Sequence, residues 1–343
     1  MRVLVVKLSS LGDVVHAMPA VQDMRSALPG VEVDWVVERS FAPLVSRCVG
    51  VAKVIPCDLR RWRKSLWQSQ TRSEWAAFKS DLQVEAYDAI IDLQGLTKSA
   101  LVSRLARPTP QGQRFAMANQ TDGSAFEVPT RWVADVAIPL APHVHAVARA
   151  RLLCAQALGY AMPQALHYGL QPGALAVSPK PPVGVPVNPF APRKPYVALV
   201  HGTSRADKQW PLEHWVVIGK CLNLAGFSVA LPHGSSAEKA TSIAIAEKLQ
   251  EAWVWPAMGL DALTDTMARC AGVVGVDSGL SHIAVALGLP HVQIYNFDTA
   301  WRTGPDNALT EFTHQCSVTG SPHPDAQTVW QAWEQLDTPV LCR

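Results

Sequence analysis

The sequence lacks the cysteine patterns of a disulfide framework or a structural zinc site. Its seven cysteines are scattered over 343 residues, and no two form a C-x-x-C pair. It also has no run of about 18 uncharged apolar residues, and Lys7, Ser9 and Asp13 interrupt its short apolar start. We therefore expect a cytoplasmic protein without a signal peptide or a membrane-spanning helix.

Four common motifs of enzymes are missing as well. No G-x-G-x-x-G follows a predicted strand and no G-x-x-x-x-G-K-[ST] occurs, which argues against a dehydrogenase-type dinucleotide site and a P-loop kinase. Without a D-x-D pair, we expect no metal held against a sugar nucleotide and no other cofactor. The absence of G-x-S-x-G excludes a nucleophile elbow. The net charge of only +2 gives no indication of nucleic-acid binding.

The chain does contain a regular alternation of short apolar runs and longer segments with helical periodicity. This alternation predicts an α/β protein with doubly wound parallel sheets, and the length predicts two domains. Helices are expected from Arg60 to Gln68 and from the Thr71-x-x-Glu74 capping-box pattern onward. The predicted strands are Val3–Val6, Val31–Val37, Val51–Ile55, Tyr87–Asp92, Tyr196–Val200, Phe227–Leu231, Trp253–Pro256, Gly272–Val276 and His291–Tyr295.

A proline-rich stretch separates the two halves of the chain. Residues 171–195 hold many prolines and few charges, which is typical of an extended linker. We therefore place one domain at 1–170 and the other at 196–343, with an amphipathic last helix that can pack back on the first domain. Because open α/β sheets bind ligands at the carboxyl ends of their strands, the two domains are expected to face one cleft.

Three loops at predicted strand ends carry candidate functional residues. "SSLGD", at the end of the first strand, places Ser10, Gly12 and Asp13 at a helix start, where they either cap the helix or take part in chemistry. "VDSGLSH" places a small Ser-Gly entrance at another helix start, which suits a phosphate or forms an ordinary cap. "HGTSRADKQWP" offers hydroxyl groups and one lysine, a set that suits phosphate.

Taken together, five motifs resemble those of the lipopolysaccharide heptosyltransferases of glycosyltransferase family 9. The motifs are KLSSLGDVVHAMPA, RRWRK, DLQGLTKSA, HGTSRADKQWP and VDSGLSH, in the order of the family, and GDVVHAMPA is closer to the heptosyltransferase I type than to type II. The resemblance implies a GT-B fold with two Rossmann-like domains. It also implies inverting transfer of L-glycero-D-manno-heptose from ADP-heptose to the first Kdo of Kdo2-lipid A, by an enzyme attached peripherally to the cytoplasmic face of the inner membrane.

The resemblance also implies roles for individual residues. Asp13 would be the general base, in a loop shaped by Ser10 and Gly12. Residues implied to bind the donor are Thr203, Ser204, Lys208, Glu238, Met258, Asp277, Ser278, Gly279 and His282. The basic residues Arg60, Arg61, Arg63, Lys64 and Lys98 either bind the carboxylates and phosphates of the acceptor or form a solvated charged face.

One loop departs from the family pattern. Asn296 and Phe297 stand where the family often has a Tyr-Gly-Pro turn, so we assign no role to the loop from Asn296 to Pro305. Three other functions remain open: a heptosyltransferase of type II, a nucleotide-sugar epimerase that needs no acceptor, and a non-catalytic protein that binds a nucleotide sugar.

Overall fold

The computed structural model describes residues 1–173, 194–305 and 314–336. These residues form two compact units, Met1–Gln171 and Pro172–Arg343. Most of the predicted linker, residues 171–195, lies outside the described ranges, so its extended form stays a prediction.

The first unit contains six strands and seven helices. Its strands are β1 (Arg2–Val6), β2 (Glu32–Glu38), β3 (Val51–Cys57), β4 (Tyr87–Asp92), β5 (Pro108–Met117) and β6 (Val136–Ile138). Its helices are α1 (Leu11–Ala27), α2 (Ala42–Val45), α3 (Leu59–Trp62), α4 (Ser69–Leu82), α5 (Thr97–Leu105), α6 (Pro129–Val133) and α7 (Ala146–Leu158).

The second unit, in its described part, contains six strands and six helices. Its strands are β7 (Tyr196–Val200), β8 (Ser228–Leu231), β9 (Ala252–Val254), β10 (Gly272–Val276), β11 (His291–Tyr295) and β12 (Gln315–Thr319). Its helices are α8 (Leu212–Leu224), α9 (Ser236–Ala246), α10 (Leu260–Met267), α11 (Gly279–Ala286), α12 (Ala300–Thr303) and α13 (Ala326–Glu334).

Both sheets have the same topology. The strand order is β3-β2-β1-β4-β5-β6 in the first unit and β12-β11-β10-β7-β8-β9 in the second. All pairs are parallel, and in each unit the order reverses beside the first strand, as in a Rossmann fold. The predicted α/β class with two doubly wound parallel sheets is therefore confirmed. Ligands of such sheets bind where the order reverses, between β1 and β4 and between β7 and β10.

The central strands are buried on both faces, which explains why their sequences are continuous runs of apolar residues. Val3 to Val6 of β1 are fully buried, and β1 pairs with β2 on one side and β4 on the other. Helices cover such parallel sheets on both faces, so no polar alternation remains. None of the helices in the described ranges is long and apolar enough to span a bilayer.

The structure differs from the sequence prediction in the irregular parts of the first unit. The predicted helix over residues 60–68 is only the single turn α3. The capping box expected at Thr71 and Glu74 does not form, and α4 begins at Ser69. The Thr71 hydroxyl lies 2.9 Å from that of Ser65, and Glu74 accepts a hydrogen bond from the indole of Trp62 at 2.8 Å. Tertiary contacts thus use both side chains that the pattern assigned to a cap.

The last described helix, α13, packs inside the second unit. Its Trp333 is buried in the apolar core formed by β7, β8, β10 and β11. A Cβ atom at Gly272 would lie 2.4 Å from the Trp333 ring, so this glycine allows the close approach of α13 to β10. The apolar face of α13 therefore packs against the core of its own unit.

Candidate active site

The candidate residues of the first unit meet where the strand order reverses. Asp13 lies in the first turn of the helix after β1, Lys98 lies in the first turn of the helix after β4, and β1 and β4 are neighbours. Gln94 joins the loops because its side-chain oxygen accepts from the amides of Leu8 and Ser9 at 3.1 and 3.0 Å. Lys98 donates to the Ser9 hydroxyl at 3.0 Å. The structure therefore brings the predicted residues of both loops together.

Asp13 lies in the first turn of α1, and its two carboxylate oxygens have different partners. Oδ2 accepts from the backbone amide and the hydroxyl of Ser10 at 3.0 and 2.8 Å, so Asp13 does cap the helix. Oδ1 lies 3.8 Å from the ammonium of Lys7 and 4.0 Å from the guanidinium of Arg149. The side chain is still 36% exposed. Because a carboxylate has about four acceptor positions, it can cap the helix and bind a further hydroxyl.

The charges around Asp13 favour its ionised form. Partial burial by itself would raise the pKa of Asp13, but Lys7, the two hydrogen bonds from Ser10 and Arg149 outweigh it. The pKa of Asp13 is consequently below its ordinary value. Burial also lowers the pKa of Lys7, which Asp13 opposes. Asp13 is therefore a carboxylate, and not a carboxylic acid, at neutral pH.

A groove of about 800 Å³ lies beside this loop. Arg60, Arg63 and Lys98 line it together with apolar side chains such as Trp75. The only carboxylate among its described lining residues is Glu127, which accepts hydrogen bonds from the amide and hydroxyl of Thr97. We call this cavity the basic groove, and its lining suits an anionic molecule with an apolar part.

The other two residues of the basic run lie differently. Arg61 bonds to the carboxylates of Asp58 and Glu74, so its guanidinium already has two anionic partners. Lys64 is exposed after α3 and is not among the residues that line the basic groove. The run therefore divides into two groove arginines, one arginine in ion pairs and one exposed lysine.

In the second unit, the loops after β7 and β10 meet in the same way. The ammonium of Lys208 donates to Oδ2 of Asp277 at 2.5 Å, and the ring of His282 lies 3.2 Å from Oδ1. Burial favours the neutral form of Asp277, but His282 and Lys208 outweigh it and hold its pKa far below the ordinary range. Three of the predicted donor residues thus form one polar group.

The start of α11 offers further polar groups to this site. Ser278 is the N-cap, and its buried hydroxyl makes no hydrogen bond within the described part of the chain. Gly279 is the first helical residue, so it adds no side chain of its own beside the free amides there. A helix N-terminus with an available hydroxyl is suited to bind an anion.

A cavity of about 530 Å³ adjoins the loop after β7. Thr203 and Glu238 line it, together with Trp210 and Trp215. A Cβ atom at Gly202 would lie 2.8 Å from the Glu238 carboxylate, so the glycine gives this carboxylate room against the loop. Glu238 also accepts from the Gly234 amide at 2.6 Å, which fixes its position at the cavity wall.

Two predicted donor residues are less closely tied to these groups. Ser204 is exposed in the loop after β7, and Met258 lies between β9 and α10. The Met258 sulfur lies 3.8 Å from the Thr266 hydroxyl, and neither Ser204 nor Met258 is among the lining residues of the 530 Å³ cavity. Their roles stay predictions.

Several residues of the site were missed by the sequence analysis. Asn296 donates to the backbone oxygens of Asp207 and Gln209 at 2.9 and 2.8 Å, so it holds the chain on both sides of Lys208. Lys7 directly follows an apolar strand, where a charged residue is unusual, and this signal was available. Arg149 had no local signal, because it reaches Asp13 from α7, far away in the sequence.

No group of three His, Cys, Asp or Glu residues that could hold a metal ion exists within the described ranges. The expectation that no metal is needed stays a prediction.

Comparison with known proteins identifies the family. The model of glycosyltransferase family 9 (heptosyltransferase) matches residues 75–331. The chain belongs to this family. The lipopolysaccharide heptosyltransferase 1 of Pseudomonas aeruginosa is 40% identical over 296 residues, which are 86% of this chain and 78% of that protein. That of Escherichia coli K12 is 38% identical, over 86% of this chain and 88% of its own. The predicted resemblance is confirmed, and the chain is a glycosyltransferase.

Solved structures of this family agree with the fold. Escherichia coli heptosyltransferase WaaC with ADP has a TM-score of 0.82 and 33% identity, and the match covers 98% of this chain and 99% of that one. WaaC with ADP-2-deoxy-2-fluoro heptose has a TM-score of 0.79 at the same identity and coverage. The predicted GT-B class of two Rossmann-like domains is therefore confirmed.

We predict that Lys7→Met moves the acidic limb of the pH dependence of transfer to higher pH. Without the ammonium 3.8 Å away, the carboxylate of Asp13 loses part of the stabilisation that lowers its pKa, so it becomes protonated at a higher pH. Initial rates at saturating substrates across the acidic range provide the measurement. Lys53→Met is a matched control, since Lys53 pairs with Asp81 on another side of the same unit. An acidic limb that coincides with that of the wild type would show that Lys7 does not set the ionisation of Asp13.

Proposed function

We propose that this enzyme transfers L-glycero-D-manno-heptose from ADP-heptose to the first Kdo of Kdo2-lipid A, with inversion at the anomeric carbon. The observation that carries this proposal is the ionised, partly exposed carboxylate of Asp13, with a groove lined by cations whose Lys98 bonds to Ser9 of the same loop. The relatives named lipopolysaccharide heptosyltransferase 1 and the relative solved with ADP support the choice of substrates.

In the proposed reaction, Asp13 acts as general base. One of its carboxylate oxygens accepts the proton of the acceptor hydroxyl while the oxygen of that hydroxyl forms a bond to the anomeric carbon of the heptose. The bond from this carbon to the β-phosphate oxygen of ADP breaks, and the electron pair leaves with ADP. Base assistance of this kind is typically worth about 10²–10⁴-fold in rate. Ser10 and Gly12 keep the base at the first turn of α1.

The leaving diphosphate needs positive groups, and the second unit can supply them. We assign the diphosphate to Lys208, the Ser278 hydroxyl and the amides that begin at Gly279, with Thr203 and Ser204 as further donors. Asp277 and His282 would form hydrogen bonds with hydroxyl groups of the heptose once the Lys208 ammonium moves from Asp277 to the phosphates. These groups can stabilise the charge of ADP, so no metal ion is part of the proposal.

The nucleoside is assigned to the cavity of the second unit. The Glu238 carboxylate, which accepts a hydrogen bond from the Gly234 amide, can also accept hydrogen bonds from the two ribose hydroxyls. Met258 would lie beside adenine, where a polarizable thioether suits a flat ring.

The acceptor is assigned to the basic groove. Arg60 and Arg63 can bind carboxylates and phosphates with two parallel hydrogen bonds, and Lys98 stands between the groove and Ser9. Arg61 and Lys64 are proposed as outer contacts. Since Kdo2-lipid A is an amphiphile, we place the enzyme at the cytoplasmic face of the inner membrane as a peripheral protein.

Whether the reaction needs an acceptor distinguishes the proposed transferase from the two other candidates, a nucleotide-sugar epimerase and a non-catalytic binding protein. Purified protein is incubated with ADP-heptose, with and without Kdo2-lipid A, and ADP is measured by chromatography. We expect ADP release only with acceptor, accompanied by one added heptose mass on the acceptor. Consumption of the donor without acceptor would favour an epimerase. Donor binding without release in either mixture would favour a binding protein and contradict the transferase.

We predict that Asp13→Asn lowers the turnover number by at least about 10²-fold, because the amide cannot accept the proton of the acceptor hydroxyl. Donor affinity, measured by calorimetry with ADP, should stay nearly unchanged, since the donor groups belong to the second unit. Asp81→Asn is the matched control: Asp81 is 42% exposed and also pairs with a lysine of the first unit. Turnover of Asp13→Asn near that of the control would remove Asp13 from the role of base.

A further inference from the structure

Several large apolar side chains of the first unit, in segments that line or adjoin the basic groove, are exposed to solvent. Trp67 is 92% exposed and Trp132 is 77% exposed. Leu66, Leu101 and Val128 are also exposed. We call these five residues the docking surface. Single exposed leucines are common in proteins, but two nearly bare tryptophans beside three aliphatic side chains indicate an interaction site.

The position of the basic groove connects the members of this surface. Leu66 and Leu101 both line the groove, from the segment before α4 and from α5. Trp67 directly follows Leu66. On the other side, Glu127 of the groove wall directly precedes Val128, and α6 with Trp132 packs against α5. Val128 and Trp132 are four residues apart, which places them on one helix face. Two members of the surface thus line the basic groove, and the other three belong to segments that adjoin its wall.

Cations lie among these apolar side chains. Lys98, Leu101 and Arg104 follow one another at three-residue spacing along α5, and Arg131 precedes Trp132 on α6. Arg63 and Lys64 are exposed next to Leu66. Three carboxylates lie nearby. Glu127 accepts a hydrogen bond from the Thr97 amide, and Asp58 and Glu74 both form ion pairs with Arg61. Because the cations named here outnumber these three carboxylates, the surface combines exposed indoles, aliphatic groups and a net positive charge.

We propose that the docking surface binds the surface of a bilayer that contains anionic phospholipids. Tryptophan prefers the boundary between headgroups and acyl chains, and each nearby cation gains attraction from anionic headgroups. This inference rests on the proposed function only in so far as an amphiphilic acceptor brings the enzyme to a membrane. Docked in this way, the mouth of the basic groove opens onto the layer in which such an acceptor is embedded.

The test uses the full chain and vesicles of phosphatidylcholine, with or without phosphatidylglycerol, in a sedimentation assay. We expect the wild type to partition onto the anionic vesicles, and the double variant Trp67→Ala/Trp132→Ala to lose about tenfold or more of this partitioning. Arg131→Glu should reduce binding to anionic vesicles and leave binding to neutral ones unchanged. All substituted side chains are exposed, so thermal unfolding should stay close to that of the wild type.

The second unit offers a matched control surface on α8. Val217, Lys220 and Leu224 are exposed at spacings that place them on one helix face, and Leu224 is 88% exposed. The variants Val217→Ala/Leu224→Ala and Lys220→Glu remove two exposed apolar side chains and one exposed cation away from the basic groove. They should bind vesicles like the wild type. Equal losses from both surfaces would overturn the assignment, because binding would then depend on general hydrophobicity and charge.

Activity assays separate this inference from the proposed function. With an acceptor stripped of acyl chains and dissolved in water, the double tryptophan variant should turn over like the wild type; with acceptor in vesicles it should be slower. Vesicle binding through the tryptophans without any heptose transfer would refute the function and support the surface. If heptose is transferred but the double tryptophan variant binds vesicles as well as the wild type, the docking surface is refuted as the membrane-binding site. A dimer of the wild type that the double variant abolishes, with unchanged vesicle binding, would identify a self-association face instead and likewise refute it.

Discussion

The contact between Lys7 and Asp13 is the interaction on which the site of the first unit depends. A parallel strand buried on both faces ends at Val6, and the next residue is a buried lysine. Its ammonium donates to the Leu93 oxygen of the neighbouring β4 loop at 3.0 Å and lies 3.8 Å from Asp13. One cation therefore joins the two loops and keeps the candidate base ionised. Because Asp13 has a lowered pKa in the folded state, its contribution to stability is present above its ordinary pKa and is lost as the pH falls through the folded value.

The second unit uses the same elements for a different purpose. Its strands have the same order, and its loops again bring a lysine and an aspartate together where the order reverses. Here the aspartate is the buried partner, and Lys208 is the group that can turn to a ligand. In the proposed reaction, the first unit would activate the acceptor and the second would stabilise the leaving group.

Local patterns were sufficient to predict the central strands, since burial on both faces leaves a continuous apolar run. They failed for β5, where only Phe115 to Met117 are well buried, and for the short β6 and the polar β12. The loops that carry Asp13, Lys208 and Asp277 were found because turn residues follow predicted strands. Arg149 and Asn296 were not found, because each acts on a loop that is distant in sequence. The basic groove was also missed: its apolar wall combines α3, α4 and α5, which no single window of sequence brings together.

The most direct measurement of the central claim is the titration of Asp13 itself. In protein labelled with ¹³C at the aspartate carboxyl carbons, the Asp13 resonance is identified by its loss in Asp13→Asn and followed as the pH is lowered. We expect its titration midpoint to lie below the ordinary aspartate pKa of 3.8. A midpoint at 3.8 or above would contradict the claim that Lys7, Ser10 and Arg149 hold an ionised base at this position.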